Sequence, residues 1–185
     1  PSLIGATPES RRYKLSFVGT LHTERYSFAN RLFANRAETF SFFYVQARWY
    51  FAVVKYLTRE HSLVPWRDVS FHKLSREQVA KIFRQSTAVF DMPRRGQSGL
   101  TIRTFEVLAS GAVLVTTNTA IVHEPFFDPT RVIVVPDDLD EIGCSSVMAQ
   151  LDSITRPLGT PESFDQYSIE SWVRTIVAGS ADKGP

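Results

Sequence analysis

The sequence predicts an α/β domain with a parallel sheet covered by helices on both faces. Three observations carry this. Short apolar runs recur at Thr87–Met92, Val113–Thr116 and Val132–Val135, the pattern of strands buried on both sides. Segments with helical spacing separate them. Turn residues such as Gly96, Gly99, Gly111, Asp137 and Asp138 punctuate the joins.

Each element follows in order. Tyr13–Val18 alternates and runs into a turn at Gly19-Thr20. Phe28, Leu32 and Phe33 place a helix over 24–36. The aromatic stretch 40–57 shows one helical face through Phe43, Ala47, Tyr50, Val54 and Leu57, and reads as part of a helical insertion over 40–66 that Pro65 and Trp66 end. Val69–His72 is a short strand. Ser75 and Gln78 have the spacing of a capping box opening a helix with Val79, Ile82 and Phe83 on one face. After the strand 87–92, the loop 93–99 feeds a helix over 100–110 that Gly111 terminates. Helices at 142–153 and 168–177 close the chain. Residues 1–12 and 179–185 read as tails around a domain over 13–178, and the start without Met or leader reads as a fragment or processed product.

Composition narrows the classes. The chain has 185 residues, 43% hydrophobic and 22% charged, which excludes disorder and leaves room for one cored domain. Its net charge of +2 is too small to argue for nucleic acid. One cysteine, Cys144, excludes a disulfide framework and reads as a small core residue. No run of eighteen apolar residues marks a membrane span. His22, His61, His72 and His123 lack metal-ligand spacing and read as surface or core histidines, and no metal site is expected.

In a sheet of this kind ligands bind at the carboxyl ends of the strands. The loops to inspect are 19–23, 72–75, 92–99 and 116–119. Gly96-Gln97-Ser98-Gly99 precedes Leu100-Thr101 at a helix start, where free backbone N–H groups and the helix dipole favour an anion. Ser98 and Thr101 add hydroxyls; Arg94 and Arg95 add positive potential. The alternative is that the glycines only make the turn. Glu106 lies about one and a half helical turns further on, a reach that suits a ribose diol beyond a diphosphate. Its alternative is an ion pair with Arg103 three residues before it.

The stretch from Gly96 through Gly99-Leu100-Thr101 and Glu106-Val107-Leu108-Ala109-Ser110-Gly111 to Thr116 resembles the donor-binding signature of GT-B glycosyltransferases, similar to the "group 1" and bacterial capsule and lipopolysaccharide enzymes. Phe17-Val18-Gly19-Thr20 is similar to the first strand and glycine turn of that family's C-terminal half, and Tyr167–Trp172 to its closing helix. The chain departs at Ser98, where many members carry a second Glu on the donor sugar. The resemblance implies a Rossmann-like donor half that binds a nucleoside-diphosphate sugar of UDP or GDP type, with no separate cofactor, for transfer to a polysaccharide or lipid-linked acceptor. It implies donor contacts at Gly19, Thr20, Gln97, Ser98, Gly99, Leu100, Thr101 and Glu106, with Arg25, Lys73 and Arg95 as further candidates. It also implies an N-terminal half absent from this chain and a cytoplasmic place at the inner membrane face. The 40–57 segment is then either packed or lies on that membrane, with Trp49, Tyr50 and Tyr56 at the interface. The catalytic base is unassigned. An epimerase of the same fold and a non-catalytic nucleotide- or partner-binding module remain as other readings.

Overall fold

The computed structural model describes residues 11–34, 37–93, 99–154, 164–167 and Ser171. Among the described residues, six parallel strands form one sheet in the order β3-β2-β1-β4-β5-β6. They are β1 (Tyr13–Thr20), β2 (Thr39–Tyr44), β3 (Val69–Ser70), β4 (Ser86–Asp91), β5 (Val113–Thr116) and β6 (Val132–Val134). The helices are α1 (Thr23–Phe33), α2 (Arg48–Val53), α3 (Arg76–Arg84), α4 (Ile102–Ala109) and α5 (Glu141–Asp152).

Side-chain alternation splits the core into two layers. Leu15, Phe17, Ala88, Phe90, Val113 and Val115 meet α1 and α5 on one face. Val18, Val89 and Leu114 meet α3 and α4 on the other. Successive strand residues point to opposite faces, so strands buried on both sides read as continuous apolar runs. Phe28 of α1 stacks flat on Phe90 with centroids 4.9 Å apart. The predicted capping box is formed: the Ser75 side chain accepts from the Gln78 backbone, and Gln78 accepts from the Ser75 backbone N–H at 2.8 Å. Gly111 has φ +73, the left-handed residue that ends α4.

Two expectations are corrected. Residues 39–44 are strand β2, and helix begins only at Arg48. Aromatic side chains suit a pleated surface flanked by neighbours, and here that outweighs the helical spacing. Within 40–57 the face drawn through Phe43 and Leu57 does not exist as one surface: Phe43 is buried in the sheet and Leu57 is 77% exposed. A π-helical turn (Val54–Thr58) and a 3-10 turn (Trp66–Asp68) complete the connection to β3. Secondly, Gly19-Thr20 is not a turn. Both residues continue β1, paired with Phe43 and Tyr44 of β2. Gly19 is needed for space rather than φ, since a Cβ there would meet the Phe17 ring at 2.8 Å. Arg11, expected in the tail, donates to the Gly111 carbonyl at 2.7 Å. The helix expected over 168–177 lies outside the described residues, apart from Ser171.

Candidate functional site

The strand order reverses between β1 and β4. In such sheets the crevice outside the carboxyl ends at this point is where ligands sit. Among the described residues, clefts open along the carboxyl ends of β1, β2 and β4. One of about 420 Å3 is lined by His22, Thr23, Arg25, Glu60, Met92 and Pro93. A second of about 440 Å3 includes Thr20, Tyr44, Gln46, Tyr50, Glu60 and His61. A third of about 180 Å3 includes Gly19, Thr20, Tyr44, Lys73, Leu74 and Arg103.

The third cleft brings together Gly19, Thr20 and Lys73 of the expected donor contacts. Lys73 sits over the Tyr44 ring, 5.5 Å from its centroid. Arg103 enters the same cleft from the first turn of α4, with its guanidinium 5.1 Å from the Phe83 ring centroid. Arg25 lies in the first cleft, and its Nε donates to the Met92 carbonyl at 2.7 Å, bridging α1 to the end of β4.

The start of α4 is where the sequence places the anion site. Gly99 has φ +83, in the left-handed region that favours glycine. Its carbonyl accepts from Asn118 Nδ2 at 2.9 Å, which ties the β4–α4 and β5 loops together. Thr101 is the N-cap of α4 but gives its helix no side-chain cap. Its hydroxyl donates to Asp91 Oδ2 at 3.1 Å instead. Leu100 is half-buried and packs against the α3–α4 core layer. Gln97, Ser98 and Arg95 lie outside the described residues, as do Arg94 and Gly96.

Glu106 is half-buried on α4, and the pair weighed as its alternative reading is present: Arg103 Nη1 lies 3.2 Å from Glu106 Oε2. The carboxylate is therefore held by a residue that itself lines the third cleft. Phe105 beside it packs with Phe126, Phe164 and Tyr167, anchoring the other side of the helix.

Asp91 was not among the residues the sequence singled out. It ends β4 at the reversal point, and burial pushes its carboxyl above the ordinary carboxylate range, against the opposing pull of Thr101, Arg103 and Arg25. A charged residue closing an otherwise apolar strand, one step before the Gly-rich loop, is the signal that could have found it. His61 is the other omission. It is 5% exposed, and its Nδ1 lies 2.8 Å from Thr23 Oγ1. Nothing in its sequence spacing marks it, because Thr23 is 38 residues away.

Residues 61–145 match the model of a family described as "Glycosyl transferase-like". No curated protein matches the chain at a significant level. Among solved structures, the chain is similar to TarM with a TM-score of 0.56 and 12% identity, over 96% of this chain and 37% of that one. It is also similar to AviGT4, "a glycosyltransferase involved in Avilamycin A biosynthesis", with a TM-score of 0.49 and 16% identity, over 93% of this chain and 53% of that one. The chain thus spans only part of the length of the solved structures it matches. The six-stranded all-parallel domain fits the C-terminal half of the GT-B fold, and the segment from His61 to Ser145 within it is glycosyl transferase-like in sequence.

Proposed function

We propose that this domain is the donor half of a glycosyltransferase and binds a nucleoside-diphosphate sugar, of UDP or GDP type, at the carboxyl ends of β1 and β4. The observation that carries this reading is the convergence of Gly19, Thr20, Lys73 and Arg103 on one cleft at the carboxyl ends of β1 and β2, which α4 enters with its first turn. Two cations and a helix N-terminus there favour a diphosphate. Glu106 would take the ribose diol, exchanging its pair with Arg103 for the ligand's hydroxyls. The electrostatic work is to stabilise the charge that develops on the departing nucleoside diphosphate.

The acceptor in this reading is a carbohydrate or lipid-linked sugar, as in bacterial polysaccharide or lipopolysaccharide assembly. A further α/β half completes the enzyme on the cytoplasmic side. No helix among the described residues is long and apolar enough to cross a membrane. Peripheral contact falls to the exposed Trp49, Tyr56 and Leu57, which lie between Arg48 and Arg59.

The test is calorimetric titration of the chain with UDP, GDP, ADP and CMP, repeated on Glu106→Ala. The reading expects one nucleotide to bind selectively and the variant to lose about 1–3 kcal/mol, the cost of a lost partner for a buried donor. Binding that ignores Glu106, or no binding by folded protein, would turn the assignment toward a partner-binding module. Turnover of a nucleotide sugar with no acceptor present would turn it toward an epimerase.

A further inference from the structure

Arg103 stands where helix electrostatics disfavours it. It is the second residue of α4, whose first turn holds no acidic side chain, and a helix N-terminus repels a cation. Its pair with Glu106 also runs in the less favourable direction, with the cation nearer the N-terminus. A partly exposed pair of this kind stabilises a helix only slightly, so support of α4 is a weak reason for the arrangement.

The guanidinium also leaves most of its hydrogen-bonding capacity unspent. Its side chain is 27% exposed and lines the 180 Å3 cleft. Among the described residues its contacts are one carboxylate oxygen, Glu106 Oε2 at 3.2 Å, and the face of Phe83 at 5.1 Å. A guanidinium carries more N–H donors than one oxygen can use. Asp91, at the end of β4, lies within reach of the same charge. The contact with Phe83 has no hydrogen-bond direction, so the planar group can turn on the ring without leaving it. An anion at the start of α4 would remove each of these defects. It would take up the idle N–H donors, offset the cation in the first turn, and meet helix N–H groups that the Thr101 side chain does not cap.

We infer that Arg103 is a specificity-determining residue that makes Glu106 available only to a ligand carrying a diphosphate. The inference rests on the donor reading above. In the free protein Arg103 neutralises the carboxylate. A diphosphate at the start of α4 offers the guanidinium more charge and more oxygens than one carboxylate does. Arg103 turns to it, and Glu106 is released to accept from the ribose hydroxyls. A nucleoside brings no competing anion and must break the pair unaided. Arg103 thereby couples the two ends of the ligand, and the site disfavours nucleosides by more than the missing phosphate contacts. Lys73 lacks this coupling. Its ammonium lies over the Tyr44 ring at 5.5 Å, and among the described residues it pairs with no carboxylate that an anion could release.

The experiment titrates the full chain with uridine, UDP, guanosine and GDP, by calorimetry for the diphosphates and by NMR shifts for the weaker nucleosides. It is repeated on Arg103→Gln, Glu106→Gln, the double variant and Lys73→Gln. Arg103→Gln is expected to weaken the diphosphate about tenfold, the scale of one charge-assisted hydrogen bond, and to strengthen the matching nucleoside about threefold, the scale of a partly exposed ion pair. Adding Arg103→Gln to Glu106→Gln brings no such gain. Lys73→Gln weakens the diphosphate and leaves the nucleoside unchanged. In the wild type, the Arg103 Nε–H resonance, identified by its loss in Arg103→Lys, moves with the diphosphate and stays with the nucleoside. That reading holds even where Arg103→Gln folds poorly. An Arg103→Gln protein that keeps the wild-type ratio of nucleoside to diphosphate affinity overturns the inference. So does a nucleoside gain that persists without Glu106, or an Nε–H resonance that ignores a bound diphosphate. In each of those cases selective diphosphate binding by the wild type leaves the donor reading standing. Folded wild-type protein that binds no nucleotide overturns both.

Discussion

Thr101 and Asp91 are joined across the mouth of the β4–α4 connection, hydroxyl to carboxylate at 3.1 Å. The bond gives a half-buried carboxylate one partner and withholds from α4 the cap its threonine would otherwise supply. The end of β4 and the start of α4 are thereby fixed to each other, and the proposed diphosphate site is built on that joint.

The joint has a pH signature. Asp91 has a folded proton affinity above its unfolded value, chiefly through burial. Between the unfolded value near 3.8 and the raised folded one, the native state binds more protons, so stability falls as pH rises through that window. Asp91→Asn keeps an oxygen acceptor for Thr101 and removes the buried charge. It is expected to unfold at or above the wild-type temperature at pH 7. That advantage shrinks as pH falls through the window and is gone below it. Thermal melts of both proteins from pH 3.5 to 7 check this; a variant less stable at pH 7 would show that the charge itself is favourable.

Arg103 is expected to matter twice, since it lines the third cleft and holds Glu106 at 3.2 Å. Arg103→Ala should weaken nucleotide binding about tenfold, the scale of one charge-assisted hydrogen bond, and flatten its salt dependence. Titrations at low and high salt measure both. An unchanged salt slope would mean that the guanidinium does not face the ligand.

Ser75 tests a structure that the sequence foretold. Ser75→Ala removes the side-chain half of the capping box on α3 and should cost about 1 kcal/mol in urea unfolding, with little effect on nucleotide binding.

Phe90 tests the sheet's centre. It is 1% exposed, stacked on Phe28 and 5.9 Å from Phe17, so it joins β4 to α1 and β1. Phe90→Ala should destabilise by about 3–5 kcal/mol, and denaturant unfolding followed by circular dichroism would show it.

Where the signal was local, the sequence was readable. The run Val113–Thr116 is strand β5 to the residue, because all four side chains are buried and no other pattern competes. The Ser75 cap is a four-residue motif and appears as such. Glu106 could be placed on its helix, and both its readings named, because its partner Arg103 is three residues away. Where the structure depends on distant pairing, the reading failed. Residues 39–44 become a strand because β1 lies alongside, and their aromatic density hid the period of two. Asp91 and His61 gain their character from Thr101, Arg25 and Thr23, none of which stands beside them in the chain.

Lys55 reaches from the π-helical turn to three carbonyls, those of His61, Ser62 and Val64, with bonds of 3.3, 2.6 and 2.7 Å. One ammonium thus closes the hairpin of chain that presents the histidine. Released together, those carbonyls would let 58–64 swing away from α2 as a unit, so the segment should exchange its amide hydrogens collectively rather than residue by residue. Lys55→Met should raise that exchange while the sheet's own amides keep their protection. A lysine six residues before His61 thus fastens the backbone that carries the ring, while Thr23 and Phe51 hold the ring itself.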